Sequence, residues 1–242
     1  FTEADDRYQY GRAAGVPSTY RPFFPAVSDG IVYVHGEYSI AAYNLFGAGE
    51  QLWQHKERVP TGDLMFEDRV MHAATVADGR VYANLVTWLD EYETRHSFIT
   101  VKFPFPKRQL LCFDAYTGKV LWRLGGLRYQ KEGRPGDALS FSAPPTPHNG
   151  LLYVTAVKQD HQTDPFEHHV MCIDPDAPDG KRIVWSTFVA SSTQLQRVYA
   201  HFPTISVDGG SILVATNHGA VACLDAGTGR PRWASTYAST GG

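Results

Sequence analysis

Residues 110–122 read LLCFDAYTGKVLW, and residues 221–233 read VACLDAGTGRPRW. A Cys, an Asp, a Thr-Gly pair and a closing Trp stand at the same offsets in both, so one structural unit is written at least twice. The same frame, less regular, ends at Trp53 in IAAYNLFGAGEQLW and at Trp185 in VMCIDPDAPDGKRIVW. Counting back from Trp53 puts Tyr43 at the cysteine position, while the stretch before Trp185 carries three more residues in its turn. Ahead of each second half lies a matching first half. These are PAVSDGIVYV from Pro25, TVADGRVYANL from Thr75, PTPHNGLLYVTAV from Pro145 and PTISVDGGSILVAT from Pro203.

The local chemistry is that of β-strands. Short runs of Val, Ile, Tyr and Leu are bounded by Asp-Gly, Asn-Gly and Thr-Gly, which supply the positive φ angles of tight hairpins. Asp114 and Asp225 are placed to bond the turn amides that follow them, and Gly118 and Gly229 to take the left-handed conformation that reverses the chain. Trp53, Trp122, Trp185 and Trp233 read as wedges buried between neighbouring sheets, since a small sheet alone lacks enough apolar burial. Blade one departs from the frame, with Leu45 where the turn Asp belongs and Ala48 for Thr, which predicts a less rigid turn.

Four strands per unit, repeating at roughly 45 to 70 residues, predict an all-β β-propeller of four blades. The pattern, clearest in FDAYTGKVLW and LDAGTGRPRW, resembles the quinoprotein-like (pyrroloquinoline-quinone-type) repeat, including that of the propeller lipoprotein of outer-membrane protein assembly. The units fall at about 25–54, 75–124, 145–189 and 203–237, after a lead-in over 1–24 and before a tail at 238–242. The resemblance implies a larger ring of about eight blades, with further blades of the same chain or a second copy covering the end faces. It also implies an exported or periplasmic location.

Composition removes several functions. A net charge of −3 and 19% charged residues give no basic footprint for nucleic acid or an anionic membrane. No apolar run is long enough to be a transmembrane segment. Cys112, Cys172 and Cys223 occupy one repeated site, and equivalent sites in successive units lie too far apart for a disulfide, so all three are expected as buried thiols.

The residues that the repeat leaves unexplained sit in two predicted inserts, Thr87 to Gln109 and Lys158 to His169, and in the long connections between units. If the motif strands are the second to fourth of each blade, inserts and connections share one face, the expected working surface. The first insert offers Trp88, Asp90, Glu91, Tyr92, Phe103 and Phe105 to a partner. The second holds His161, Glu167, His168 and His169, which have metal-accepting donors but read more simply as a solvated polar loop. No nucleophile and base pairing, Walker or CxxCH motif is present. The expectation is a noncatalytic binding or scaffold module for a protein, peptide or glycan, with no cofactor. The alternative that the resemblance implies is part of a quinone-dependent dehydrogenase binding pyrroloquinoline quinone and calcium. That family's adjacent cysteine pair has no counterpart here.

Overall fold

In a computed structural model, residues 24–58, 73–96, 99–125, 139–158, 165–192, 204–216 and 219–237 are described, with the backbone alone at 88–106, 192 and 204. Four antiparallel sheets follow one another along the chain. Blade one comprises β1 (Ala26–Ser28), β2 (Ile31–His35), β3 (Ser39–Asn44) and β4 (Gln51–Lys56). Blade two is β5 (Thr75–Ala77), β6 (Arg80–His96), β7 (Ile99–Asp114) and β8 (Val120–Leu124). Blade three has β9 (Leu139–Phe141), β10 (Thr146–His148), β11 (Leu151–Lys158), β12 (Phe166–Ile173) and β13 (Ile183–Ser192), with β9 and β10 both paired to β11. Blade four is β14 (Thr204–Asp208), β15 (Ser211–Ala215), β16 (Ala220–Asp225) and β17 (Pro231–Thr236).

Each blade is a meander opened by a two-residue turn. Asp29-Gly30, Asp78-Gly79 and Asn149-Gly150 hold positive φ at both positions, which only this hairpin geometry requires. Three apolar clusters form at the seams between blades one and two, two and three, and three and four. The expected row of cysteines appears here: Cys112, Cys172 and Cys223 are free and buried. Each lies between a second-strand residue and the blade's tryptophan, in the cross-strand rows Tyr82–Cys112–Trp122, Tyr153–Cys172–Trp185 and Leu213–Cys223–Trp233. In blade one the row is Tyr33–Ala42–Trp53, so Ala42, not Tyr43, takes the cysteine place, because the turn before Trp53 holds one residue more.

Two further expectations change. The turn of blade one is fixed by Asn44, whose carboxamide oxygen accepts the Phe46 N–H at 3.0 Å, as Asp114 accepts the Tyr116 N–H at 3.2 Å. Asn44, rather than Leu45, is therefore the counterpart of the turn Asp. The described parts of the predicted inserts are strands rather than loops. β6 and β7 run on as one ladder from Arg80↔Asp114 to His96↔Ile99, and Glu167, His168 and His169 belong to β12. Their strand character is set by cross-strand pairing, which the local residue pattern does not encode. Pro104 and Pro106 sit on β7 above its last pairing with β8, Leu110↔Leu124, where β7 is an edge strand. Two residues apart, they leave out amides on the same side of the strand, which an edge tolerates.

Candidate functional site

The most sharply built feature of the molecule is the joint between blades. Trp53 lies on the turn of blade two, its indole N–H donating to the Ala115 carbonyl at 2.9 Å and its ring stacked on Phe113 at 5.9 Å. A Cβ on Gly118 would stand 2.5 Å from that ring, so glycine is required by close approach as well as by its φ of 69°. Blade three repeats the arrangement on blade four. Trp185 donates to the Ala226 carbonyl at 3.1 Å, and a Cβ on Gly229 would meet its ring at 2.5 Å. Asp114 and Asp225 hold these receiving turns in shape. The Thr117 and Thr228 N–H groups donate to them at 2.8 and 2.9 Å, and the Thr hydroxyls at 2.7 and 2.9 Å. Those bonds hold the Asp114 carboxyl below its usual pKa, and Arg232 with Thr228 brings Asp225 down to about 2.

Between blades two and three the joint is made differently. The longer turn of blade three places Pro175 after Asp174, and the Pro175 carbonyl accepts from the Arg182 guanidinium at 2.6 Å. The buried Trp122 indole N–H is left with no hydrogen-bond partner, and Arg182 lies over its ring at 5.0 Å. Arg80 of blade two reaches across to Asp176 at 2.5 Å. Trp233 departs from the expected wedge altogether: it is 49% exposed, and β17 is exposed along its length. Among the described residues no other blade packs on it.

The strand order puts the β2–β3, β6–β7, β11–β12 and β15–β16 connections at one edge, together with the links between blades. On this face β6 and β7 rise beyond the body of blade two as a two-stranded ribbon. Its backbone pairs Trp88 with Lys107, Asp90 with Phe105, Glu91 with Pro104 and Tyr92 with Phe103, so these predicted residues share one structural element. A buried polar row lies under the face, two residues beyond the tyrosine in each of the first three blades: His35, Asn84 and Thr155. The imidazole of His35 bonds the Asn84 carbonyl at 3.0 Å, while the Asn84 carboxamide and the Thr155 hydroxyl have no protein partner. The row emerges from the strand register, since the three residues differ in type from blade to blade.

The predicted metal residues are dispersed. His161 lies outside the described residues. Successive strand positions point to opposite faces, so His168, 4% exposed and not in a solvated loop, faces the blade-four side while Glu167 and His169 face the other. His169 bonds Glu167 at 3.1 Å and the Ser186 hydroxyl at 3.2 Å. This carboxylate–imidazole–hydroxyl chain has the donors and acceptors of a nucleophilic relay. Ser186 sits on β13, the edge strand of blade three, opposite Met171 of β12. Among the described residues no three His, Cys, Asp or Glu converge on a metal-sized site. Cys112 and Cys172 line the seams that follow blades two and three, and Cys223 lies beside Trp233 on the outer side of blade four.

Glycine-seated tryptophans joining four-stranded blades define a propeller of the quinoprotein type. A family profile described as outer membrane protein assembly factor BamB matches residues 11–242, and the chain belongs to that family. No curated protein matches it. Among solved structures it is similar to a europium-containing methanol dehydrogenase, with 12% identity over 88% of this chain and 41% of the other, at a TM-score of 0.58. It is also similar to the quinohemoprotein alcohol dehydrogenase of Comamonas testosteroni, with 15% identity over 88% and 34%, at 0.54. At these identities the likeness is one of fold, and the chain spans well under half of either enzyme.

Proposed function

We propose that the chain is a noncatalytic scaffold module that presents the ribbon face of its blades to a protein partner outside the cytoplasm. The observation that carries this reading is the β6–β7 ribbon. β6 and β7, 17 and 16 residues long, continue as one ladder past the last pairing with β8 at Leu110 as far as His96↔Ile99. A protruding two-stranded ribbon on a rigid base offers free edges for strand addition by a second protein. Membership of a family described by outer-membrane protein assembly favours a protein over a glycan as the partner.

The competing reading is a quinone-dependent dehydrogenase, which the fold alone supports among the described residues. Adding pyrroloquinoline quinone and calcium to the purified chain distinguishes the two. The scaffold reading expects no bound quinone absorbance after gel filtration and no dye-linked oxidation of alcohols or sugars. Appearance of both would overturn it.

A further inference from the structure

The two edges of the β6–β7 ribbon are not equivalent. In an antiparallel pair the backbone groups of successive residues alternate between facing the partner strand and facing away from it, so every second amide lies on the outer edge. Two bonds fix which these are. The Arg108 N–H donates to the Ser140 hydroxyl of β9 at 3.1 Å, and the N–H of its register partner Val86 donates to the Glu37 carbonyl of blade one at 2.8 Å. Both amides therefore point away from the ladder.

Counting along β7 by twos from Arg108, the outward positions are Pro106, Pro104, Lys102 and Thr100. The prolines fall where that edge needs donors, and the Arg108 donor is already engaged, so no further strand can pair along Pro104–Arg108. On β6 a bulge between Val86 and Trp88 shifts the count by one, and the residues opposite are Leu89, Glu91, Glu93 and Arg95. None is a proline, so this edge presents an N–H and a carbonyl at each outward position. Among the described residues β5 pairs with β6 only over Arg80 to Tyr82, and no strand continues along that side above Val86.

The sequence of the edge sets the chemistry of what can pair with it. Leu89–Arg95 reads LDEYETR. Glu93 stands opposite Lys102 in the ribbon, whereas Asp90 and Glu91 stand opposite Phe105 and Pro104. Opposite charges at directly paired positions stabilise a sheet and like charges destabilise it, so these two acids favour cations on a third strand. We propose that β6 is the receiving edge of the ribbon, taking an extended segment of a partner protein that sets two adjacent lysine or arginine residues opposite Asp90 and Glu91. The prolines of β7 close the other edge and fix the side on which the partner lies. This rests on the ribbon being the element that meets the partner, and adds which edge does so and what charge it selects.

Fluorescence anisotropy with the full chain tests the edge and the charge separately. The probes are a capped, labelled peptide of alternating valine and threonine with Lys-Lys at its centre, and the same peptide with Glu-Glu there. The lysine peptide should bind about tenfold more tightly. Leu89→Pro removes an outward amide from β6 and should weaken binding about fivefold or more, while Thr100→Pro, the matching change on β7, should leave it unchanged. Asp90→Asn with Glu91→Gln alters no backbone group and should bring the two peptides to equal affinity, and circular dichroism should show each variant folded. Weakening by Thr100→Pro with Leu89→Pro silent would overturn the edge assignment and leave the ribbon as the binding element. Equal affinity of the wild type for both peptides, or binding of neither, would overturn the proposal alone. Binding indifferent to all of these substitutions would overturn the ribbon reading with it.

Discussion

Trp122 and Trp185 hold the same place in their blades, but only Trp185 has an acceptor for its indole N–H. Replacing each by Phe keeps most of the ring and removes the donor. Trp185→Phe should therefore cost about 1 kcal/mol more than Trp122→Phe in urea unfolding, the net worth of one hydrogen bond. Truncation separates the residues in another way. Trp122→Ala should cost about 3–5 kcal/mol, the range for removing a buried aromatic. Trp233→Ala, on an exposed face, should stay within about 0.5 kcal/mol in dilute monomer. The glycines give a matched pair. Gly118→Ala and Gly79→Ala suffer similar backbone strain at φ 69° and 70°, but only the first drives a Cβ into a tryptophan ring. It should cost about 1–3 kcal/mol more, and equal losses would show that the ring does not rest on the turn.

Among the elements, the Asp-x-x-Thr-Gly turn sets the pH response of the fold. The folded pKa of Asp225 is depressed to about 2, so its contribution to stability is full above its unfolded pKa near 4 and fades as pH falls toward 2. The melting temperature of Asp225→Asn should therefore lie below the wild type at pH 6 and converge with it between pH 4 and pH 2. A gap that persisted at pH 2 would assign the stabilisation to shape rather than charge. These turns were legible in the sequence because Asp and Thr-Gly each act within a few residues of themselves. The blade-one turn was misread by one position, since Asn44 does the work of Asp while an added residue shifts the count. The ribbon and the buried histidine were not legible as such. Whether Glu-His-His is loop or strand depends on partner residues nine to thirteen positions away, and His168 is buried by blade packing that no local pattern encodes.

At the scale of the whole molecule, stability resides in the seams, and the cysteines report on them. Burial pushes the Cys112 thiol up to about 12 and Cys172 to about 11. At pH 8 neither is a nucleophile unless its seam opens. Alkylation by iodoacetamide in native buffer should thus be slow at both and should accelerate in parallel with global unfolding as urea is raised. Labelling of Cys172 well before Cys112 would show that blade four parts from the arc by itself.

The unlike joint at blade three has a consequence for how such arrays can be shuffled. Blades one to three each give a tryptophan forward and blades two to four each take one from behind, so the array has a direction, and whole blades could be exchanged without reversing any connection. The Gly118 and Gly229 seats are interchangeable addresses, each answering to a ring whose N–H finds a carbonyl. The blade carrying Pro175 and Arg182 is addressed differently, because it meets the ring with a cation and keeps its carbonyl for itself. A chimaera in which blade four follows blade two directly should restore the missing N–H bond of Trp122, and blade order along the chain is written in these seats as a spelling rule.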